Sequence, residues 1–326
     1  MRVLLHGAGA VGARAVRQLV EAAEVDEVVV AGGVPAHRAE VVAGGGPKVT
    51  DGGDGLDGHV VDAVVLAGAP GTHVDVARAQ LALGRAVVSC SDAVEDVQGL
   101  LALDGLAREH GATAVVGAGF SPGYTCVLAR HAAARFDRVD EIHVARSGTG
   151  GPACARQHHR ALSGTALDWR EGGWQSRPAG SGRELCWFPD PIGAADCYRA
   201  ELPDALLLVP AFEGVERVTA RLAASRRDRL TAHLPMLRKP HPEGLVGAVR
   251  VEVRGRRGST QDAVVLGALD RPAVATAAVA ALAARWAVAG RLPVGAAGLA
   301  TLADPLPFLH ELSDIGIRAA VFDGVS

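Results

Sequence analysis

Lysine is the scarcest charged residue in this 326-residue chain: Lys48 and Lys239 are the only two, although lysine and arginine together number 33. A Schiff-base mechanism needs a lysine desolvated enough to lose its proton. Lys48 lies in the glycine-rich stretch 44–58 and Lys239 among prolines in Arg238-Lys239-Pro240-His241-Pro242, so covalent lysine chemistry is not expected. Cysteine is also sparse. Cys90, Cys126, Cys154, Cys186 and Cys197 form no C-x-x-C pair and are too few for a secreted disulfide framework in a chain this long, which fits a reducing cytoplasm. A strand begins as early as Val3, leaving no room for a signal peptide, so export is not expected. The longest apolar stretch, 272–290, is mostly alanine and is interrupted by Arg285; it reads as a buried or interface helix and not as a bilayer span. Charge of one sign is missing too. With 36 acidic residues against 33 basic, spread along the chain, neither a nucleic-acid surface nor a polybasic membrane patch is expected.

The chain does have a glycine turn in a specific context. Gly7-Ala8-Gly9-Ala10-Val11-Gly12 follows the apolar run Val3-Leu4-Leu5 and precedes a helical pattern. The first glycine permits a tight turn, the second lets the backbone approach a diphosphate, and the third allows helix and strand to touch; the helix N-terminus offers N–H groups to the phosphates. Gly7, Gly9, Ala10, Val11 and Gly12 are therefore candidate dinucleotide contacts. An acidic residue about 20 positions on would hold a ribose 2′-hydroxyl. Here the second strand, Glu27 to Ala31, runs into Gly32-Gly33. Without a carboxylate at Gly32 a 2′-phosphate meets no repulsion, and His37 and Arg38 in the following segment could supply positive charge to it, so NADP is favoured with NAD as the alternative. A solvated Arg38 at the start of the next helix is the competing reading.

Up to Pro122 short β-rich runs alternate with helical ones, as in βαβ units on a parallel sheet. Strands are expected at 3–6, 27–31, 63–67, 86–88 and 113–116, helices at 11–23, 35–42, 72–83 and 100–110, and an irregular connection at 44–58. Ala69 and Pro70 follow the strand 63–67, and Ser91 and Asp92 follow the strand 86–88. Strand ends of this kind face the ligand in open α/β sheets, although Ser91 or Asp92 could simply cap a helix. Beyond Gly123 the periodicity changes. A helix over 124–135, strands at 141–146 and 183–188, and a hairpin of 248–254 with 262–268 around a basic tip at 255–258 suggest a mixed or antiparallel sheet. A helix over 272–290, another over 304–313 and a strand at 317–322 complete the chain. The expected division is a dinucleotide-binding domain over 1–122, with 291–326 packing back on it, and a substrate and dimerisation domain over 123–290.

Together these segments resemble the saccharopine dehydrogenase-like family of NAD(P)-dependent oxidoreductases. The resemblance rests on residues 7–12, on Leu66-Ala67-Gly68-Ala69-Pro70, on Ala86-Val87-Val88-Ser89-Cys90-Ser91-Asp92, and above all on Gly117-Ala118-Gly119-Phe120-Ser121-Pro122-Gly123. It implies an α/β architecture: a Rossmann doubly wound parallel sheet plus a second α+β domain with a mixed sheet, assembled as a homodimer. It also implies hydride transfer at a carbon bonded to nitrogen, by imine reduction or secondary-amine oxidation on an amino-acid-derived small molecule. Gly32, where many relatives carry aspartate, departs from the pattern.

The densest polar cluster outside the glycine turn is Gly150 to Arg160. Arg156 and Arg160 could bind substrate carboxylates bidentately while His158 or His159 handles the amine proton. A helix N-terminus with solvated arginines is the competing reading. Asp92 and Tyr124 are further candidate catalytic groups, Ser121 a candidate substrate contact, and Trp174, near Trp169 and Trp187, a candidate cleft wall or core residue. Adjacent histidines lack i, i+4 ligand spacing, so no metal is expected. No G-x-S-x-G elbow occurs, which leaves hydrolysis unsupported. A hydroxyl-oxidising dehydrogenase of sugar or homoserine type and a non-catalytic NADP-binding sensor or scaffold are the rival functions.

Overall fold

The computed structural model describes residues 1–56, 58–236 and 239–322. The first part of the chain alternates Arg2–His6 (β1), Ala10–Glu21 (α1), Glu27–Ala31 (β2), Pro35–Gly44 (α2), Val49–Gly53 (β3), Ala63–Leu66 (β4), His73–Leu81 (α3), Ala86–Ser89 (β5), Val94–Leu101 (α4), Asp104–Glu109 (α5) and Thr113–Val115 (β6). The remainder comprises Tyr124–Ala133 (α6), Arg138–Ser147 (β7), Pro152–Ala161 (α7), Thr165–Arg170 (β8), Gly173–Pro178 (β9), Glu184–Trp187 (β10), Ala194–Arg199 (β11), Asp204–Leu208 (α8), Arg217–Ala223 (β12), Arg226–Thr231 (α9), Gly247–Arg257 (β13) and Thr260–Asp270 (β14). Pro272–Val288 (α10), Gly295–Ala297 (β15), Leu306–Asp314 (α11) and Ala319–Val321 (β16) follow.

Two compact units result: residues 1–119 with 273–298, and 120–272 with the chain from 299 onward. The first carries a sheet ordered β15-β6-β5-β4-β1-β2-β3, with every pairing parallel. β4 and β5 are buried at every residue, as strands covered on both faces must be. α1 turns Gly12, Ala15, Val16 and Leu19 inward, the i, i+3, i+4, i+7 stripe that a sheet-packing helix needs. The division differs from the expected one. The boundary falls at Gly119–Phe120, α10 belongs to the first unit, and 291–326 is split: β15 extends the parallel sheet while β16 pairs with β14 in the second. α10 is alanine-rich and largely buried, so its sequence carries no polar face that would mark its partner.

The second sheet runs β10-β11-β12-β7-β13-β14-β16, with the β8–β9 hairpin attached to β12. Its strand register sorts side chains by face. Val218, Ile142 and Val253 stand in one row and Ala220, Val144 and Val251 in the next, all buried, and α6 packs on β7, β13 and β14. The opposite face carries Thr219, His143 and Glu252 in one row and Arg221, Ala145 and Arg250 in another.

Several elements differ from the sequence expectation. Residues 49–53, expected to be irregular, form edge strand β3. Only Val49 of it is buried, so the strand exists through its pairing with β2 and leaves no hydrophobic pattern to read. The helix expected over 100–110 is two, α4 and α5. The basic hairpin tip expected at 255–258 is strand as far as Arg257, and Gly258 and Ser259 form the turn; Arg256 Nε donates to Asp140 Oδ2 at 3.1 Å. β8, β9, β11, β12 and α9 were not anticipated. α9 starts from a capping box in which Ser225 Oγ accepts from the Asp228 N–H at 3.1 Å.

The β8–β9 turn places Glu171 at φ 53° and Gly172 at φ 77°, the double left-handed geometry that favours Asn-Gly. Glu171→Asn is expected to raise stability by roughly 1 kcal/mol, read as a higher chemical-denaturation midpoint; an unchanged or lower midpoint would count against strain at this turn.

Candidate functional site

In the first unit the sequence order of strands reverses between β1 and β4, and ligands of open α/β sheets collect at the strand carboxyl ends beside such a reversal. Three glycines shape this place for different reasons. Gly7, at φ 108°, would set a Cβ 2.7 Å from the backbone of Ala67 and Gly68. Gly12 would drive a Cβ into the Gly7 carbonyl oxygen, so it is what lets α1 lie against the turn. At Gly9, by contrast, an added Cβ meets nothing within 4 Å. Crowding at two positions and open space at the third is the shape of a loop that admits a ligand against its backbone.

Gly9 is also the N-cap of α1. No side chain caps it, and no acidic residue stands in the first turn. The first N–H groups of α1, at Ala10 and Val11, thus keep their partial positive charge for an anion. A dinucleotide's diphosphate fits this donor set: backbone amides, a helix N-terminus and space where the second glycine lacks a side chain.

The neighbouring strand ends complete the rim. Ala69 is exposed and Pro70 half-buried on the connection after β4, which is braced by a buried polar network. Asp96 of α4 accepts from the Gly71 N–H at 2.9 Å and the Ser91 hydroxyl at 2.6 Å. His73 Nε2 lies 3.4 Å from the Gly68 carbonyl, which can only accept, so Nε2 carries the proton and Nδ1 accepts from the Ser89 hydroxyl at 2.8 Å. Burial holds His73 below the ordinary histidine range despite the pull of Asp96 and Asp92. Burial, with His73 as a second cause, does the same to His6. The His6 ring underlies the site: a Cβ at Gly32 would stand 2.5 Å from it and one at Gly68 3.5 Å. Sequence reasoning missed His6, Ser89 and Asp96. His6 directly precedes Gly7, which is the one signal that could have drawn attention to it.

Arg38 does not reach out freely from α2. It is buried, with Nε 2.8 Å from Asp51 Oδ1 and Nη1 2.7 Å from Asp54 Oδ1, and a longer 3.4 Å contact to the Gly32 carbonyl. Both carboxylates come from the stretch expected to be irregular. Lys48, for its part, donates to the Val20 and Ala22 carbonyls at 3.2 and 3.4 Å, which occupies its ammonium at the C-terminal end of α1.

In the second unit the expected polar cluster forms helix α7, and helical geometry divides it. Arg156 and Arg160 are exposed, whereas His158 and His159 are buried; at 100° per residue His158 points away from both arginines. Cys154 Sγ lies 3.4 Å from His158 Nε2 one turn away, His159 Nε2 lies 3.1 Å from the Leu234 carbonyl, and Arg160 donates to Gln157 at 2.8 Å. Ser121 donates to Asp204 at 2.8 Å, and the buried Arg146 bonds the Ser121 carbonyl. Tyr124 is buried, and burial with nearby Asp270 raises its phenol further above neutrality, so it stays protonated. Trp174 is exposed and packs edge-on against Trp169 at 5.1 Å, on the β8–β9 hairpin. Asp92, half-buried, belongs to the first unit.

Gly12→Ala would stabilise an open helix by about 1 kcal/mol; here it is expected to destabilise by about 2 kcal/mol or more, seen in thermal melts. His73 binds its proton less readily in the folded chain than in the unfolded one. Its contribution is therefore complete above the ordinary value of 6.5 and is lost as pH falls below it. His73→Asn is expected to flatten the fall in melting temperature between about pH 7 and pH 5; an unchanged slope would exclude His73 as its source.

No protein-family model and no curated protein matches the sequence. Among solved structures, the chain is similar to apo saccharopine dehydrogenase (L-Glu forming) from Saccharomyces cerevisiae, with a TM-score of 0.70 and 14% identity over 98% of this chain and 99% of that one. GenD2 from gentamicin A biosynthesis, in complex with NAD, matches with a TM-score of 0.51 and 15% identity over 99% and 97%. An engineered D-amino acid dehydrogenase bound to NADP+ matches with a TM-score of 0.50 and 16% identity over 96% and 95%. At these identities the likeness is one of architecture: this chain has a saccharopine dehydrogenase-like fold, a Rossmann-type parallel sheet followed by a mixed one.

Proposed function

We propose that this chain is a nicotinamide-dependent oxidoreductase acting at a carbon–nitrogen bond of an amino-acid-derived small molecule, by imine reduction or secondary-amine oxidation. The observation that carries this reading is the cradle after β1, where Gly7 and Gly12 have no room for a side chain, Gly9 has room to spare, and the N-terminus of α1 is uncapped. Gly7, Gly9, Ala10, Val11 and Gly12 would hold the diphosphate through backbone amides, with Gly32, Ala69, Pro70 and Ser91 along the neighbouring strand ends. When bound, the nicotinamide supplies or accepts the hydride.

The chain's own residues then bind, orient and manage one proton. Arg156 and Arg160, one turn apart on the exposed face of α7, suit a carboxylate-bearing substrate. His158 and His159 are the titratable groups assigned to the proton, with Asp92 as a further candidate; the protonated Tyr124 suits donation of a hydrogen bond better than proton shuttling. Trp174 and Ser121 remain candidate substrate contacts. A homodimer and a cytoplasmic setting belong to the same proposal; the latter is in keeping with five unbridged cysteines. Saccharopine dehydrogenase and D-amino acid dehydrogenase among the similar structures are in keeping with C–N chemistry, and a putative myo-inositol dehydrogenase, matched as well as the D-amino acid dehydrogenase, is in keeping with the hydroxyl-oxidising rival.

The test is consumption of NADH or NADPH with amino acids paired with keto acids or aldehydes, alongside a panel of sugars and hydroxy acids. Turnover with the amine-forming pairs alone is expected. Turnover only with hydroxyl compounds would favour the alcohol-oxidising rival, and tight nucleotide binding without turnover the sensor. Gly9→Val, which fills the open space, is expected to lower nucleotide affinity by about tenfold or more while the melting temperature holds; unchanged affinity would remove the cradle from the argument.

A further inference from the structure

The sequence pairs two features at the end of β2, a glycine where a carboxylate could have stood and an arginine six residues on, and together they point towards a nucleotide with a 2′-phosphate. The structure changes the sum of charges at that place. Arg38 is held between Asp51, on β3, and Asp54, which follows β3, at 2.8 and 2.7 Å. Its guanidinium is buried while Asp51 is half-exposed and Asp54 mostly exposed, at 50% and 81% for their side chains. One cation and two carboxylates leave a net negative group that shows its anionic side to solvent. Asp51 is further fixed by the Gly53 N–H, which donates to it at 2.8 Å.

This group abuts the cradle. Arg38 contacts the Gly32 carbonyl, the Gly32 N–H donates to the Gly53 carbonyl at 2.9 Å, and a Cβ on Gly33 would lie 3.2 Å from the amide nitrogen of Ala8. The end of β2 is where a dinucleotide's adenosine ribose is read in this type of sheet. A 2′-hydroxyl arriving there finds carboxylate acceptors. A 2′-phosphate brings close to two negative charges towards a site that is already negative, and must first displace carboxylates from the arginine it would use.

Resting on the dinucleotide reading above, we propose that Asp51 and Asp54 act as specificity-determining residues: by occupying Arg38 from the β3 side they do what a carboxylate at position 32 would do, and they make the chain select NAD(H) over NADP(H). This reverses the preference that Gly32 and Arg38 suggest when read in sequence alone. Position 32 itself disfavours a side chain, since its φ is 67° and an added Cβ would stand 2.5 Å from the His6 ring.

The experiment is calorimetric binding of NADH and of NADPH, which needs no knowledge of the substrate. Wild type is expected to bind NADH about tenfold or more tightly than NADPH. Asp51→Asn/Asp54→Asn releases Arg38 and is expected to raise NADPH affinity by about tenfold, and adding Arg38→Gln should abolish that gain. Asp54→Asn alone, at an exposed position, is expected to give a smaller gain in the same direction and guards against misfolding of the double variant, which a thermal melt would reveal. A wild type that prefers NADPH, or a preference that both carboxylate variants leave unchanged, would overturn the assignment while leaving the dinucleotide reading intact. Binding of neither nucleotide by the wild type would overturn that reading, and this inference with it.

Discussion

The architecture of the candidate site depends on one close approach: the backbone leaving β1 passes the backbone leaving β4 with no space for a Cβ between them. Gly7 meets this condition, with an added carbon only 2.7 Å from Ala67 and Gly68. Because the two strand ends are adjacent, the turn after β1 and the connection after β4 form one concave rim. Because Gly12 lets α1 sit against the turn, the helix N-terminus points into that rim. Two atoms' worth of missing side chain thus set the position of a helix and of the amide groups at its end, and the open space at Gly9 is meaningful only because its neighbours are so crowded.

A rim made of turns would wander if it were not tied to something stiff, and the ties here are buried polar bonds. Asp96 fixes the Gly71 amide and the Ser91 hydroxyl, while His73 links the Gly68 carbonyl to Ser89. These contacts join the connection after β4 to the end of β5 and the start of α4. Burial makes the bonds stiff and also makes them sensitive: a neutral imidazole serves as donor and acceptor at once, whereas a protonated one loses its acceptor.

The nucleotide-type sheet was legible because its signals are local. Five short apolar runs, a glycine turn and alternating helical stretches mark β1, β2, β4, β5 and β6 without reference to anything distant. The second sheet was less legible for the opposite reason. β11 and β12 pair Cys197 with Ala223 and Tyr198 with Leu222 but Arg199 with Arg221, and these arginines, Arg221 buried and Arg199 partly so, are held by Asp168 and Glu184, contacts between residues far apart in sequence. The cluster on α7 looks different in space than in sequence. Arg156, His158, His159 and Arg160 are neighbours in sequence, yet a helix sends Arg156 and His158 to opposite sides, so proximity along the chain overstated proximity in space.

The electrostatics of the rim follow from what is neutral as much as from what is charged. His6 and His73 are held below their ordinary titration range by burial, so near neutrality neither adds a cation beneath the glycine turn. Arg38, the basic side chain bonded to the Gly32 carbonyl, is matched by two carboxylates. Attraction for a diphosphate then draws on backbone dipoles at the start of α1, fixed in direction and short in range, together with Arg14, whose guanidinium folds back to donate to the Ala10 carbonyl at 2.7 Å. That leaves selection among nucleotides sharing this diphosphate to the groups around their sugars, where the balance at Arg38 is struck.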